Sequence, residues 1–73
     1  MNFSEKIKAI RIQCLLSQEE FAEVLGVSYS TVNRWEREKT KPNYRALKLI
    51  DRYCKIHNVE FDFSEQAMEE HKI

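Results

Sequence analysis

Gly26, the only glycine in the chain, stands between two helix-start signals, with Ser17 nine residues before it and Ser28 two residues after it. Ser17 and Glu20 form the pattern S-x-x-E, in which the hydroxyl takes a free backbone N–H of the first turn and the carboxylate returns to the cap's own N–H. The spacing predicts a helix opening at Gln18, with Phe21, Ala22 and Leu25 on its buried face. Gly26 ends that helix, because glycine adopts the left-handed conformation of a helix stop without steric cost. Ser28 then caps a second helix running from Tyr29 to about Arg37, which buries Val32 and part of Trp35. A connection this short does not let two helices lie antiparallel. They must cross steeply, with small side chains at the crossing, and Ala22 facing Val32 meets that need.

The flanking segments read as further helices. Phe3, Ile7, Ile10 and Cys14 recur three and four residues apart, so a helix is expected from near Ser4 to about Cys14. Ile12 and Leu15 fall off that stripe, and Leu16 is expected to pack just after the helix ends. After the loop "EKTKPN", closed by Pro42, Asn43 is placed to cap a helix over about Tyr44 to His57. This last helix is apolar on two faces, Ala46/Leu47/Ile50/Cys54 and Leu49/Tyr53/Ile56. One stripe closes the core and the other needs a second cover. Val59, Phe61 and Phe63 alternate with acids as a short strand would and could lie over it as an intramolecular lid. A partner subunit is the competing cover, and a short helix from Ser64 is also compatible with the pattern. With one glycine and one proline there is little turn chemistry for a β-rich fold. The expected class is all-α, with four to five helices and a short C-terminal tail. At 73 residues this is one domain near the lower size limit for folding on its own core, organised as residues 1–58 and a tail over 59–73.

The formal net charge is zero, but it is unevenly distributed. Residues 1–58 carry 11 Lys and Arg against 7 Asp and Glu, and residues 59–73 carry 1 against 5. A basic body with an acidic tail is compatible with a polyanionic partner, provided the tail turns away from it. No apolar run reaches membrane-spanning length and no signal segment opens the chain, so a soluble, cytoplasmic protein without a membrane partner is expected. Cys14 and Cys54 fall on apolar faces and read as free thiols. Neither they nor the isolated His57 and His71 have zinc-ligand spacing. There is no glycine-rich phosphate loop, no cluster of metal ligands and no nucleophile beside a base. Enzymatic activity, a cofactor, a metal and a small-molecule ligand are therefore not expected.

The third helix carries Tyr29, Ser30, Thr31, Asn33 and Arg34 outward, a face rich in hydrogen-bonding groups. Composition alone does not separate a reading surface from an ordinary solvated face. The order of motifs adds the rest. Residues 4–56 resemble the Cro/repressor-type, Xre-like helix-turn-helix regulators, with the helix-turn-helix itself over 18–37. The matching features are Leu16-Ser17-Gln18 opening helix 2, Ala22 and Gly26, Val32, Trp35-Glu36 closing helix 3, the loop Lys39-Thr40-Lys41-Pro42, and Arg11. The resemblance implies a lambda-repressor-like domain that places helix 3 in the major groove of double-stranded DNA as a transcriptional regulator, most simply a repressor. It assigns base reading to Tyr29, Ser30, Asn33 and Arg34; Gln18, Ser28, Thr31, Lys39, Lys41 and Asn43 are candidates for phosphate contacts, Gln18 for its place at a helix N-terminus and Lys39 and Lys41 for their charge. It also implies an ion pair between Arg11 and Glu36. Relatives usually act as homodimers on half-sites about 34 Å apart, and Leu49, Tyr53, Ile56, Phe61 and Phe63 are the dimer candidates. Trp35 is expected to pack at the end of helix 3 or to rest on the DNA backbone.

Two residues depart from the family pattern. Leu15 stands where relatives often carry glycine, so the first turn is expected to be packed more tightly or helix 1 to end earlier. Glu38 replaces the glycine that usually ends helix 3, so helix 3 is expected to extend into the loop, with an acid in the path of the DNA backbone and modest affinity as the result. The rival function is a protein-interaction module, antitoxin- or antirepressor-like, using the acidic and aromatic tail. A disordered solubilising tail is the third reading of the same residues.

Overall fold

The computed structural model describes residues 2–60. These form four helices, α1 (Phe3–Gln13), α2 (Gln18–Leu25), α3 (Tyr29–Glu36) and α4 (Tyr44–Ile56), with no strand among the described residues. Val59 and Glu60 have no strand conformation. The rest of the alternating segment, including Phe61 and Phe63, and the tail readings from Ser64 onward lie outside the described residues. No described helix is long and apolar enough to cross a membrane. The chain divides into two compact units, Met1–Lys41 and Pro42–Ile73.

In the first unit α3 packs on both α1 and α2. Phe3, Ile7 and Ile10 of α1, Phe21, Ala22 and Leu25 of α2, and Val32 and Trp35 of α3 are buried. Each such large apolar side chain stabilises the fold by roughly 1.5–3 kcal/mol. Trp35 is only 3% exposed. It is therefore buried more completely than its boundary position suggests, and it is not available to rest on a DNA backbone.

Each helix begins on a polar cap. The Ser17 Oγ accepts the Glu20 N–H at 3.0 Å and Glu20 Oε1 accepts the Ser17 N–H at 2.8 Å, completing the capping box. Ser28 caps α3 by accepting the Thr31 N–H at 3.2 Å, and Asn43 caps α4 by accepting the Ala46 N–H at 2.8 Å. Helix α1 begins at Phe3, the first residue of its apolar stripe and one residue from the expected start near Ser4. Asn2 is the cap, with Glu5 as the reciprocal partner at 2.9 and 3.1 Å. The buried Ser4 donates its hydroxyl to Asn2 Oδ1 at 2.9 Å.

All four helices end in one device. A left-handed residue follows each helix, and two backbone N–H groups turn back onto its last carbonyls. The Leu15 and Leu16 N–H groups reach Ile12 and Arg11; those of Gly26 and Val27 reach Glu23 and Ala22. Glu38 and Lys39 reach Trp35 and Arg34, and Asn58 and Val59 reach Lys55 and Cys54. This is the Schellman arrangement, which glycine favours, yet three of its four left-handed residues are not glycine: Leu15 (φ 59°), Glu38 (φ 60°) and Asn58 (φ 57°). Both departures from the family pattern are thus resolved differently from expectation. Helix α1 is not shortened and Leu15 is not packed into the turn, being 89% exposed. Helix α3 does not extend, because Glu38 takes the left-handed conformation itself.

In the second unit Ala46, Leu47, Ile50 and Cys54 of α4 are buried, together with Val59. On the other stripe Leu49 and Tyr53 are half-buried and Ile56 is 68% exposed. The Tyr53 and His57 rings lie 4.2 Å apart, tilted. Cys14 and Cys54 are free thiols.

Candidate nucleic-acid interface

Because Ser28 fixes the first turn of α3 and Val32 and Trp35 bury its inner side, the opposite side is left outward. Tyr29, Ser30, Asn33 and Arg34 line a shallow open hollow of about 490 Å³ there, together with Arg37, Lys39 and Thr40. Three of the seven lining residues are cationic and none is acidic. Tyr29 is half exposed and brings an apolar ring to the rim. The left-handed turn at Glu38 makes the hollow possible, since it reverses the chain after α3 and brings Lys39 and Thr40 back beside Asn33 and Arg34.

Glu38 does not line this hollow. Its Oε1 accepts a hydrogen bond from the Asn2 amide at 3.2 Å, at the N-terminal end of α1. The carboxylate is thereby drawn toward a helix N-terminus, where negative charge is favoured. Glu38 is thereby kept off the lining of the hollow.

Behind the hollow runs a chain of polar side chains. Arg11 donates from Nε to Glu36 Oε2 at 2.7 Å, from Nη2 to Glu36 Oε1 at 3.0 Å, and from Nη1 to the Leu16 carbonyl at 2.9 Å. The pair is largely buried, with Arg11 14% and Glu36 5% exposed. The hydrogen bond to Glu36 raises the Arg11 pKa against the opposing effect of burial, so the guanidinium stays charged through the physiological range. Glu36 Oε1 also accepts from Gln18 Nε2 at 3.1 Å, and Gln18 Oε1 accepts from Asn33 Nδ2 at 3.1 Å.

The family description Helix-turn-helix matches residues 7–61. The chain belongs to the Xre-like helix-turn-helix family. It is similar to the HTH-type transcriptional activator BcrR of Enterococcus faecalis, 38% identical over 56 residues covering 77% of this chain and 28% of that protein. It is also similar to the Type II methyltransferase M.SsoII of Shigella sonnei, 40% identical over 52 residues covering 67% of this chain and 14% of that protein. The chain thus spans less than a third of either relative. No solved structure matches it.

Within this helix-turn-helix the four residues assigned to base reading share the hollow, and Lys39 joins them. The other phosphate candidates are placed differently. Ser28 and Thr31 bond each other through their hydroxyls at 2.8 Å. Lys41 lies with Nζ 6.0 Å from the centre of the Phe3 ring. Asn43 caps α4 in the second unit. The Gln18 side chain is turned onto Glu36 and Asn33, which leaves its place at the first turn of α2 as the argument for an anion contact. Sequence reasoning passed over Arg37 and Thr40. Arg37 read as the end of α3 and Thr40 as loop, and neither position signals that a left-handed Glu38 will fold both onto one surface.

Proposed function

We propose that this helix-turn-helix binds double-stranded DNA sequence-specifically and regulates transcription from the cytoplasm. The supporting observation is the hollow, which gathers the outward residues of α3 with three cations and no acid. With α3 in the major groove, Asn33 would read the N6/N7 edge of adenine and Arg34 the O6/N7 edge of guanine. Ser30 would serve either kind of partner and Tyr29 would meet a thymine methyl. Arg37, Lys39, Thr40 and Lys41 would hold phosphates, with Ser28, Thr31 and the first turn of α2 beside them. The Enterococcus relative is named as an activator; repression is the reading adopted for this chain, since occupying a promoter is enough to produce it. A homodimer on paired half-sites completes the reading, with Leu49, Tyr53 and Ile56 of α4 as contacts and Phe61 and Phe63 as further candidates.

Fluorescence anisotropy with a labelled duplex between 50 and 200 mM salt tests the reading. Affinity is expected to fall steeply with salt, and replacing one phosphate-contacting cation, as in Arg37→Gln or Lys39→Gln, should reduce the log–log slope by about 1. Binding indifferent to salt, or unaltered by both substitutions, would refute it.

A further inference from the structure

The chain Arg11–Glu36–Gln18–Asn33 has a chemical direction. A guanidinium only donates hydrogen bonds and an ionised carboxylate only accepts them. Arg11 therefore leaves Glu36 as an acceptor facing Gln18, and only the amide nitrogen of Gln18 satisfies it. That turns Gln18 Oε1 toward Asn33, where only the Asn33 nitrogen satisfies it. Neither amide can turn over without setting two acceptors or two donors against each other. Asn33 is half-buried and lines the hollow. With its nitrogen held on Gln18 Oε1, Asn33 keeps Oδ1 and its second Nδ2 proton, for neither of which the described residues show a partner.

We propose that Gln18, backed by Glu36 and Arg11, is a specificity-determining positioning residue that locks Asn33 with its carbonyl toward the DNA. The inference rests on the DNA-binding reading above and deepens it. An outward acceptor beside one N–H matches a base that offers an exocyclic amine in the major groove. Adenine fits best, because its N6 amine and N7 satisfy both groups, and cytosine with its N4 amine comes second. Guanine O6 and thymine O4 would face Oδ1 acceptor to acceptor. Without Gln18 the Asn33 amide could turn over and accept either class of base, so the preference would be lost even though Gln18 need not touch a base.

The test uses the full chain and duplexes carrying each of the four base pairs at the position whose preference collapses in Asn33→Ala. The wild type is expected to favour adenine there by roughly tenfold or more over guanine and thymine. Gln18→Met keeps the length of the side chain and removes both polar ends. It should bring the four duplexes within about threefold of one another while leaving the preference owed to Arg34 intact. In free protein, nuclear magnetic resonance of the Asn33 side-chain amide protons should show slow solvent exchange in the wild type and fast exchange in Gln18→Met, with a thermal melt confirming that the variant is folded. An unchanged base preference in folded Gln18→Met, or Asn33 amide protons indifferent to the substitution, would overturn the inference. A wild type with no preference at any position would instead refute base reading itself, and this inference with it.

Discussion

Arg11 and Glu36 illustrate how strongly a part-buried charge depends on its partner. Arg11→Ala leaves the Glu36 carboxylate, 5% exposed, without its guanidinium, and removing one member of a buried pair costs about 3–5 kcal/mol. Arg11→Ala should therefore lower the urea midpoint sharply and weaken DNA binding together with it; an unchanged melting temperature would contradict this. Because the folded Arg11 pKa is raised, the contribution of the pair is fully present below the unfolded value and is lost only as pH rises through the higher folded value. No loss from this residue is expected on mild alkalinisation. The left-handed positions are the second case. Leu15 at φ 59° is 89% exposed, so Leu15→Gly relieves backbone strain and sacrifices little packing. It should stabilise by about 1 kcal/mol, which for a domain of this size raises the melting temperature by roughly 4–8 °C. Gly26→Ala is the converse. A Cβ at Gly26 would meet nothing within 4 Å, so its expected cost of about 1–2 kcal/mol is conformational alone. Calorimetry on the two variants checks both signs, and a stabilised Gly26→Ala would contradict the argument.

The helices differ in how far their residues announced them. Helix α2, its glycine stop and the cap of α3 were legible because capping boxes and left-handed stops act over a few adjacent residues. The α1 start was read to within a residue, but its cap was not, because only the fold shows that Asn2 takes the Glu5 N–H and the buried Ser4 hydroxyl. The outward residues of α3 could be picked out from periodicity and resemblance. The bonds that orient Asn33 could not, because Gln18 lies 15 residues away in sequence. Likewise the Asn2–Glu38 contact joins residues 36 apart, and no local pattern reveals where the Glu38 carboxylate goes. The two stripes of α4 looked equivalent as sequence but are not equivalent in the structure. Ile50 is fully buried and Ile56 is 68% exposed. Ile50→Ala should cost about 2–5 kcal/mol, whereas Ile56→Ser should change monomer stability by no more than about 0.5 kcal/mol. If this stripe carries the dimer, Ile56→Ser should also weaken self-association in sedimentation. Equal destabilisation by the two substitutions would show that the exposed stripe is covered from within.

For the whole chain, equal numbers of acids and bases conceal an asymmetry. The hollow on α3 is lined by Arg34, Arg37 and Lys39 and by no acid, and the Glu38 carboxylate is held by Asn2 at the start of α1. A chain of zero net charge can thus still present a face suited to a polyanion. In the reading proposed above such a face would supply affinity, while Asn33 and Arg34 would supply the discrimination, at about 1–3 kcal/mol for each good bidentate contact. A single domain of this kind reads few base pairs, so the account calls for two copies on a palindromic site with half-sites about 34 Å apart. The measurement that bears most directly on this is selection of duplexes from random DNA at near-physiological salt, with the Asn33→Ala/Arg34→Ala double variant beside the wild type. The wild type is expected to enrich a palindrome, and the folded double variant to lose it. A wild type that enriches no sequence, or a double variant that enriches the same one, would contradict this reading.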